Sequence, residues 1–142
     1  MTEVSHRQYR ALVVDDEVVA RRMLAFALGQ RGFQCDHAVD GAQAMELLKS
    51  RTYDLVVTDL AMPNIHGHSL IVELLSSNPR PAIMVHSAID DPRLKTDLLA
   101  RGVDEIVYKP ADYASVAARA KALVQSRLPS ASKPTADVGP AG

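Results

Sequence analysis

The sequence predicts an α/β protein built on a doubly wound, five-stranded parallel sheet. Short apolar runs rich in β-branched residues recur along the chain, and they are too short to be helices. Between them lie segments in which apolar residues recur at helical spacing. Runs that are apolar at consecutive positions are typical of parallel strands covered by helices on both faces. Right-handed crossovers place helices on both sides of such a sheet, and we expect the strand order 2-1-3-4-5.

Five segments are predicted to be strands. Four are continuous apolar runs, and the one that is second in chain order is weaker. The predicted strands are Ala11–Val14, Phe33–Val39, Leu55–Thr58, Ala82–Val85 and Ile106–Tyr108.

Five helices are predicted to alternate with these strands. Their apolar residues recur three or four positions apart, so that each helix has one apolar stripe. The stripes consist of Val19, Met23 and Phe26; Ala44, Leu47 and Leu48; Leu70, Ile71, Leu74 and Leu75; Leu94, Leu98 and Leu99; and Tyr113, Val116, Ala117, Ala120, Leu123 and Val124.

Residues at the ends of these segments agree with the division. Gly32 can close the first helix in the left-handed conformation, and Asp40 can cap the second helix. Asp91 before Pro92 places a capping carboxylate next to a proline at the first helical position. Gly67 suits a tight loop.

The length of 142 residues predicts a single domain with tails. We expect residues 8–127 to form this domain. Residues 128–142 are dominated by Pro, Ser, Ala and Gly and cannot bury enough apolar surface to become ordered. This segment is either a flexible tail or a linker toward an output domain, because linkers share that composition.

Composition excludes several classes of function. The formal net charge is −1, from 16 basic and 17 acidic residues, which disfavours direct binding of nucleic acid. Cys35 is the only cysteine, so an internal disulfide and a thiolate metal cluster are excluded, and we expect it to act as a small hydrophobe. A membrane span would need roughly 20 apolar residues, and none is present. A cytoplasmic protein is expected.

Polar residues follow the predicted strands at the ends where ligands bind in open parallel sheets. Asp15 and Asp16 follow the first strand, Asp59 the third, Ser87 the fourth, and Lys109 ends the fifth. Gathered carboxylates repel one another, and a hard cation such as Mg²⁺ relieves the repulsion through oxygen ligands. A carboxylate can also act as a nucleophile and form an acyl phosphate, whose charge Lys109 and Ser87 could stabilise.

Four segments carry a resemblance to a known family. Val14-Asp15-Asp16-Glu17, Thr58-Asp59-Leu60-Ala61-Met62-Pro63, His86-Ser87-Ala88 and Tyr108-Lys109-Pro110 resemble the receiver domain of response regulators, the chemotaxis-regulator-like module of two-component signalling. The match extends over about residues 8 to 127. It implies a flavodoxin-like (βα)5 fold and a phosphorelay function in signal transduction.

The resemblance also implies a role for each residue of the site. Asp59 would be the phosphoacceptor and, with Asp16, a ligand of Mg²⁺, while Asp15 would help to hold the ion through water. Ala61 would contribute only its backbone carbonyl. Ser87 and Lys109 would bind the phosphoryl group, and the bond from Lys109 to Pro110 is expected to be cis.

Partners are implied in the same way. The phosphoryl donor would be a sensor histidine kinase or a phosphotransfer protein. A downstream protein would bind helix 4, strand 5 and helix 5, and a homodimer remains open. Ile106 stands where the family usually has an aromatic residue that reports phosphorylation. Tyr108 shares a strand face with Ile106, and we hypothesise that it takes this role.

Different functions compete with this interpretation. An aspartyl-phosphate phosphatase also uses a carboxylate nucleophile and Mg²⁺, but that class has an acid two positions after the nucleophile, where this chain has Ala61. A constitutive interaction module would keep the same residues without using them, and a receiver module could belong to a larger regulator. His66, His68 and His86 are expected to be surface or loop histidines because they do not form a convincing zinc set.

The expected lifetime of the phosphorylated form follows from two side chains. Ala61 and Ile89 lie two positions beyond Asp59 and Ser87, and neither is an acid or an amide that could orient water. We therefore expect slow hydrolysis of the acyl phosphate, and a lifetime of seconds would contradict this.

Overall fold

A computed structural model describes residues 8–61 and 67–127 of the chain. Within these residues, strands and helices alternate, as predicted. The strands are β1 (Tyr9–Val14), β2 (Phe33–Ala38), β3 (Leu55–Thr58), β4 (Ala82–Ser87) and β5 (Glu105–Tyr108). The helices are α1 (Val18–Gly29), α2 (Gly41–Ser50), α3 (Gly67–Leu75), α4 (Pro92–Arg101) and α5 (Tyr113–Arg127).

The five strands form one sheet in the order β2-β1-β3-β4-β5, and all four pairings are parallel. This order confirms the prediction. The last residue of β1, Val14, pairs with both Ala38 and Thr58. Ser87 of β4 pairs with Tyr108 of β5. Asp15, Asp59 and Lys109 therefore leave the sheet at its carboxyl edge.

The sheet has a hydrophobic core on each face. Val13, Val57 and Met84 belong to the core that includes α1 and α5, whereas Val56 and Ile83 belong to the core with α3 and α4. Alternate residues of one strand thus enter different cores, which is why the central strands are apolar at consecutive positions.

The first helix packs with a different face from the one predicted. Val19, Met23 and Phe26 are 66%, 48% and 68% exposed, respectively. The buried face consists of Ala20, Leu24 and Leu28. α1 carries two apolar stripes at helical spacing, and spacing alone does not distinguish the one that contacts the sheet.

The predicted ends of the helices are largely confirmed. Asp40 Oδ1 accepts a hydrogen bond from the Gln43 amide at 2.8 Å and caps α2. Asp91 accepts from the amides of the first turn of α4. Gly32 has the predicted left-handed conformation, with φ +92°, but α1 already ends at Gly29 with Gln30 as its cap, so Gly32 shapes the turn after the helix and does not close it. Gly67, expected in a tight loop, is the first residue of α3.

The predicted tail at 128–142, together with Met62, Pro63 and His66, lies outside the described residues, so the domain bounds stay a prediction. None of the helices in residues 8–61 and 67–127 is long and apolar enough to cross a membrane.

Candidate functional site

Backbone hydrogen bonds extend the sheet by one residue and position the acids. The Asp15 amide donates to the Ala38 carbonyl at 3.1 Å, and the Asp59 amide donates to the Val14 carbonyl at 3.0 Å. On the other side, the Lys109 amide donates to the Ser87 carbonyl at 2.9 Å. The backbone of these residues at the strand ends thus continues the regular geometry of the sheet. Its position is fixed more firmly than it would be in a loop without such hydrogen bonds.

Lys109 joins the ends of three strands. Its Nζ lies 2.7 Å from Asp15 Oδ2 and 3.0 Å from Asp59 Oδ2. The Lys109 side chain is only 16% exposed, and those of Asp15 and Asp59 are 7% and 10% exposed. These charges are therefore largely removed from water. In such a buried position, a carboxylate without a partner of opposite charge would be costly.

The ammonium of Lys109 is held in its charged form. Burial on its own would lower the pKa of Lys109, but the hydrogen bonds that its ammonium donates to Asp15 and Asp59 outweigh burial and raise the pKa above 10.5. One full positive charge therefore faces the two buried carboxylates at neutral pH.

Asp59 is oriented by its own backbone. Its Oδ1 accepts hydrogen bonds from the amides of Leu60 at 2.7 Å and Ala61 at 3.2 Å, while Oδ2 accepts from Lys109. These donors fix the direction of the Asp59 carboxylate, whose oxygen can act as a nucleophile.

Three acids meet the geometric requirement for a bound cation. Asp15, Asp16 and Asp59 each offer one carboxylate oxygen, and these atoms lie within 4.8 Å of one another. Both oxygens of Asp15 already accept hydrogen bonds, Oδ1 from the Glu17 amide and Oδ2 from Lys109. Asp16 is exposed, and no hydrogen bond engages its side chain in the described residues. This donor set fits Mg²⁺, and Asp16 is the acid of the three whose oxygens are free of hydrogen bonds within the described residues, since both oxygens of Asp59 accept them as well.

A cleft opens beside these acids. Ser87 lies in its wall and is 1% exposed, and its Oγ accepts a hydrogen bond from the Ile89 amide at 3.2 Å. The residues that line the cleft are Asp16, Glu17, Asp59, Ala61, Ser87, Ala88, Ile89 and Lys109. Every predicted site residue except Asp15 contributes to this lining, and Asp15 contacts it through Lys109.

His86 corrects one prediction. The sequence predicts a surface or loop histidine, but His86 is 3% exposed in β4. Its ring meets Tyr113 of α5 edge to face, with the centroids 6.3 Å apart. Burial, and next the charge of Lys109, lower the pKa of His86 below 6.5. Its place directly after a buried apolar run is the signal in the sequence that points to this position.

The structure also adds details beside the site. Glu17 lines the cleft, and its Oε1 lies 3.9 Å from Lys109 Nζ. Arg21 of α1 donates a hydrogen bond to the Asp15 carbonyl at 2.9 Å and so supports the acidic loop.

Two further predictions agree with the structure. The bond from Lys109 to Pro110 is cis, as expected. Burial raises the pKa of Cys35 to about 11, which agrees with its expected role as a small hydrophobe.

Comparison with protein families decides the relationship. The model of the response regulator receiver domain matches residues 11–121 of the chain. The chain belongs to the response-regulator receiver family. It is thus related to the receiver domains of two-component response regulators, and its five-stranded fold is theirs.

Individual relatives differ in what surrounds this domain. The two-component response regulator PhoP of Pseudomonas aeruginosa is 34% identical over 116 residues, which cover 82% of this chain and 52% of PhoP. The sensor histidine kinase RcsC of Salmonella typhimurium is also 34% identical, over 77% of this chain but only 12% of RcsC. The chain therefore spans about half the length of the first regulators it matches, and a small part of the kinase.

Solved structures agree with this relationship. A receiver domain from Francisella is 27% identical with a TM-score of 0.77, covering 84% of this chain and 98% of that one. The response regulator TrrA of Thermotoga maritima, solved in complex with Mg²⁺ and BeF, is 31% identical with a TM-score of 0.72. That comparison covers 82% of this chain and 99% of TrrA.

Proposed function

We propose that Asp59 accepts a phosphoryl group beside a bound Mg²⁺, and that this change switches a protein-interaction surface of the receiver. The observation that carries the proposal is the position of Lys109 Nζ, within hydrogen-bond distance of both Asp15 and Asp59 at the end of β5. Asp16 supplies a further carboxylate to the same cluster. A nucleophile, a cation and ligands for a metal are thus assembled in one cleft.

The proposed step is a phosphoryl transfer. An oxygen of Asp59 bonds to the phosphorus of the donor, and the bond from phosphorus to the donor breaks with its electron pair on the leaving atom. Lys109 and Ser87 then donate hydrogen bonds to the phosphoryl oxygens. When bound by Asp16, Asp59 and the Ala61 carbonyl, with help from Asp15, Mg²⁺ would neutralise part of the added negative charge.

We further propose a cytoplasmic protein that receives the phosphoryl group from a sensor histidine kinase or a phosphotransfer protein. Similarity to PhoP supports the first donor and leaves open a receiver that is part of a larger regulator. Similarity to RcsC supports a phosphorelay, because a sensor kinase there contains the matching segment. The proposed output surface consists of α4, β5 and α5, for a downstream protein or a second copy of the chain.

Acetyl phosphate tests phosphoryl acceptance without a cognate kinase. With Mg²⁺ present, we expect the intact mass to increase by one phosphoryl group, and we expect excess chelator to prevent the increase. Steady release of phosphate from a generic phosphate ester would favour an aspartyl-phosphate phosphatase. An unchanged mass at saturating acetyl phosphate and Mg²⁺ would favour a constitutive interaction module.

Tyr108 is the proposed contact between the site and α4. Lys95 Nζ of α4 lies 5.7 Å from the centre of the Tyr108 ring, and Tyr108 directly precedes Lys109. We expect Tyr108→Ala to reduce the changes in the amide NMR signals of α4 that phosphorylation causes, because Lys109 would lose its aromatic link to this helix.

The matched control is Tyr113→Ala, which changes the first residue of α5, a tyrosine that packs against the core with α1 and α5 and not against the core with α4. It should leave the α4 response intact. Full wild-type changes in α4 in the Tyr108→Ala protein would contradict the proposed role of Tyr108.

A further inference from the structure

We propose that His86 and Tyr113 form a relay that carries the phosphorylation state of Asp59 to the start of α5. In the phosphorylated state, the Tyr113 hydroxyl donates a hydrogen bond to Nε2 of His86, a buried atom that has no hydrogen-bond partner within residues 8–61 and 67–127. This inference rests on the proposed function of Asp59. It goes beyond the proposed output surface because it assigns the side chains through which α5 responds.

His86 is a buried polar side chain whose hydrogen-bonding capacity is not fully used. The residue is 3% exposed, and its Nε2 atom finds no partner in the part of the chain that the structure describes. Burying a nitrogen without a hydrogen bond costs free energy, and such atoms are rare in folded proteins. A conformational state in which Nε2 gains a partner is stabilised by the hydrogen bond that it forms.

Tyr113 can supply this partner. Its ring meets the His86 ring edge to face, with the centroids 6.3 Å apart and the ring planes at 85°. Tyr113 is half-buried, and among the described residues no hydrogen bond engages its hydroxyl. A tyrosine hydroxyl can donate a hydrogen bond, and a neutral imidazole has one nitrogen that accepts one. Because the two rings already lie side by side, reorientation of the Tyr113 side chain is enough to bring the hydroxyl to Nε2.

Strand β4 connects His86 to the phosphorylation site. His86 directly precedes Ser87, which lines the cleft and would donate a hydrogen bond to the phosphoryl group. His86 also pairs with Val107 of β5, two residues before Lys109. A shift of Ser87 or Lys109 toward a phosphoryl group therefore acts on the backbone that carries the imidazole.

A second connection leads from Lys109 to Tyr113. Residues 110–112 alone separate Lys109 from Tyr113, the first residue of α5. Asp112 Oδ2 accepts hydrogen bonds from the Ser115 amide at 3.2 Å and from the Ser115 hydroxyl at 2.9 Å, so the first turn of α5 is fastened to this segment. The contact between the two rings is thus the point where both connections from the site meet.

The relay distinguishes two states of the domain. In the present structure, Lys109 Nζ lies 2.7 Å from Asp15 and 3.0 Å from Asp59. A phosphoryl group on Asp59 would draw Lys109 and Ser87 toward its oxygens. Such a group shifts the equilibrium only as far as one state interacts with it more favourably than the other. A hydrogen bond to Nε2 that exists in one state only therefore couples phosphorylation to the position of α5.

The deciding variant is Tyr113→Phe, which keeps the ring and removes only the hydroxyl. Beryllofluoride with Mg²⁺ serves as a stable analogue of the phosphoryl group on Asp59. In wild-type protein labelled with ¹⁵N at histidine, we expect the NMR signal of His86 Nε2 to shift when beryllofluoride is added. In Tyr113→Phe we expect most of this shift to be lost, together with most of the changes in the amide signals of the first turn of α5.

The affinity for beryllofluoride is a second readout. Because the hydrogen bond forms only in the bound state, its loss in Tyr113→Phe should raise the Kd about fivefold, the effect of one net hydrogen bond. Tyr53→Phe is the matched control, since Tyr53 precedes β3 at the amino edge of the sheet and its hydroxyl donates to Asp36 at 2.7 Å. It should keep the wild-type Kd and the wild-type shift of His86.

Three results would overturn the relay but not the function of Asp59. A wild-type Nε2 signal that beryllofluoride does not move would show that this atom has the same environment in both states, as with a buried water. An equal shift in Tyr113→Phe, or an unchanged Kd, would show that the hydroxyl is not the partner. If the wild-type protein binds no beryllofluoride and gains no adduct from acetyl phosphate, the proposed function fails, and the relay fails with it.

Discussion

Asp59→Asn is expected to abolish the phosphoryl adduct that acetyl phosphate forms on the wild-type protein. The amide that replaces the carboxylate has no ionised oxygen to attack phosphorus. Its carbonyl oxygen can still accept the hydrogen bonds from Leu60 and Ala61 that orient the wild-type side chain. The loss should therefore result from chemistry and not from a displaced loop.

Asp90→Asn is the control, because Asp90 is an exposed acid shortly after Ser87 and does not line the cleft. Its adduct should match that of the wild type when both are measured by intact mass with acetyl phosphate and Mg²⁺. An Asp59→Asn protein that still gains a full adduct would assign the phosphoacceptor to another residue.

The sequence is sufficient to predict the sheet. β3 and β4 are apolar at consecutive positions because one residue enters the core with α5 and the next enters the core with α3. Few arrangements other than a parallel sheet between two layers of helices bury such strands. The edge at which Asp59 and Lys109 meet follows from the same topology, since parallel strands all end on one side.

Contacts that depend on packing are harder to predict. α1 has two apolar stripes, and the choice of the one with Leu24 depends on how closely the helix approaches the sheet. His86 lies at the end of an apolar run, where a loop is expected, but β4 extends through it and alternation turns its ring toward Tyr113. Glu17 follows two acids in the sequence, and only the structure shows that it lines the cleft together with Asp16 while Asp15 does not.

The arrangement around Lys109 leads to a prediction about stability. Lys109→Met would leave the buried carboxylates of Asp15 and Asp59 without their shared cation. Removing one partner of a buried pair typically costs about 3–5 kcal/mol, and we expect a loss of about 3 kcal/mol in the free energy of unfolding without metal. Denaturant unfolding of the variant and the wild type in the presence of a chelator measures this loss.

Magnesium should then stabilise the variant more than the wild type. Mg²⁺ held by the same acids would replace part of the missing positive charge, so the difference between the two proteins should shrink when Mg²⁺ is added. Removing one of the buried charges in a Lys109→Met, Asp59→Asn double variant should likewise recover part of the lost stability.

The pH dependence has a definite sign. Because the pKa of Lys109 is raised above 10.5 in the folded protein, the contribution of Lys109 to the free energy of unfolding is complete below pH 10.5. This contribution is lost as the pH rises through the pKa of the folded protein.

Lys49→Met is the control for Lys109→Met. Lys49 is 73% exposed, so its replacement should change the free energy of unfolding little. A Lys109→Met protein as stable as this control without metal would mean that the buried acids do not depend on Lys109.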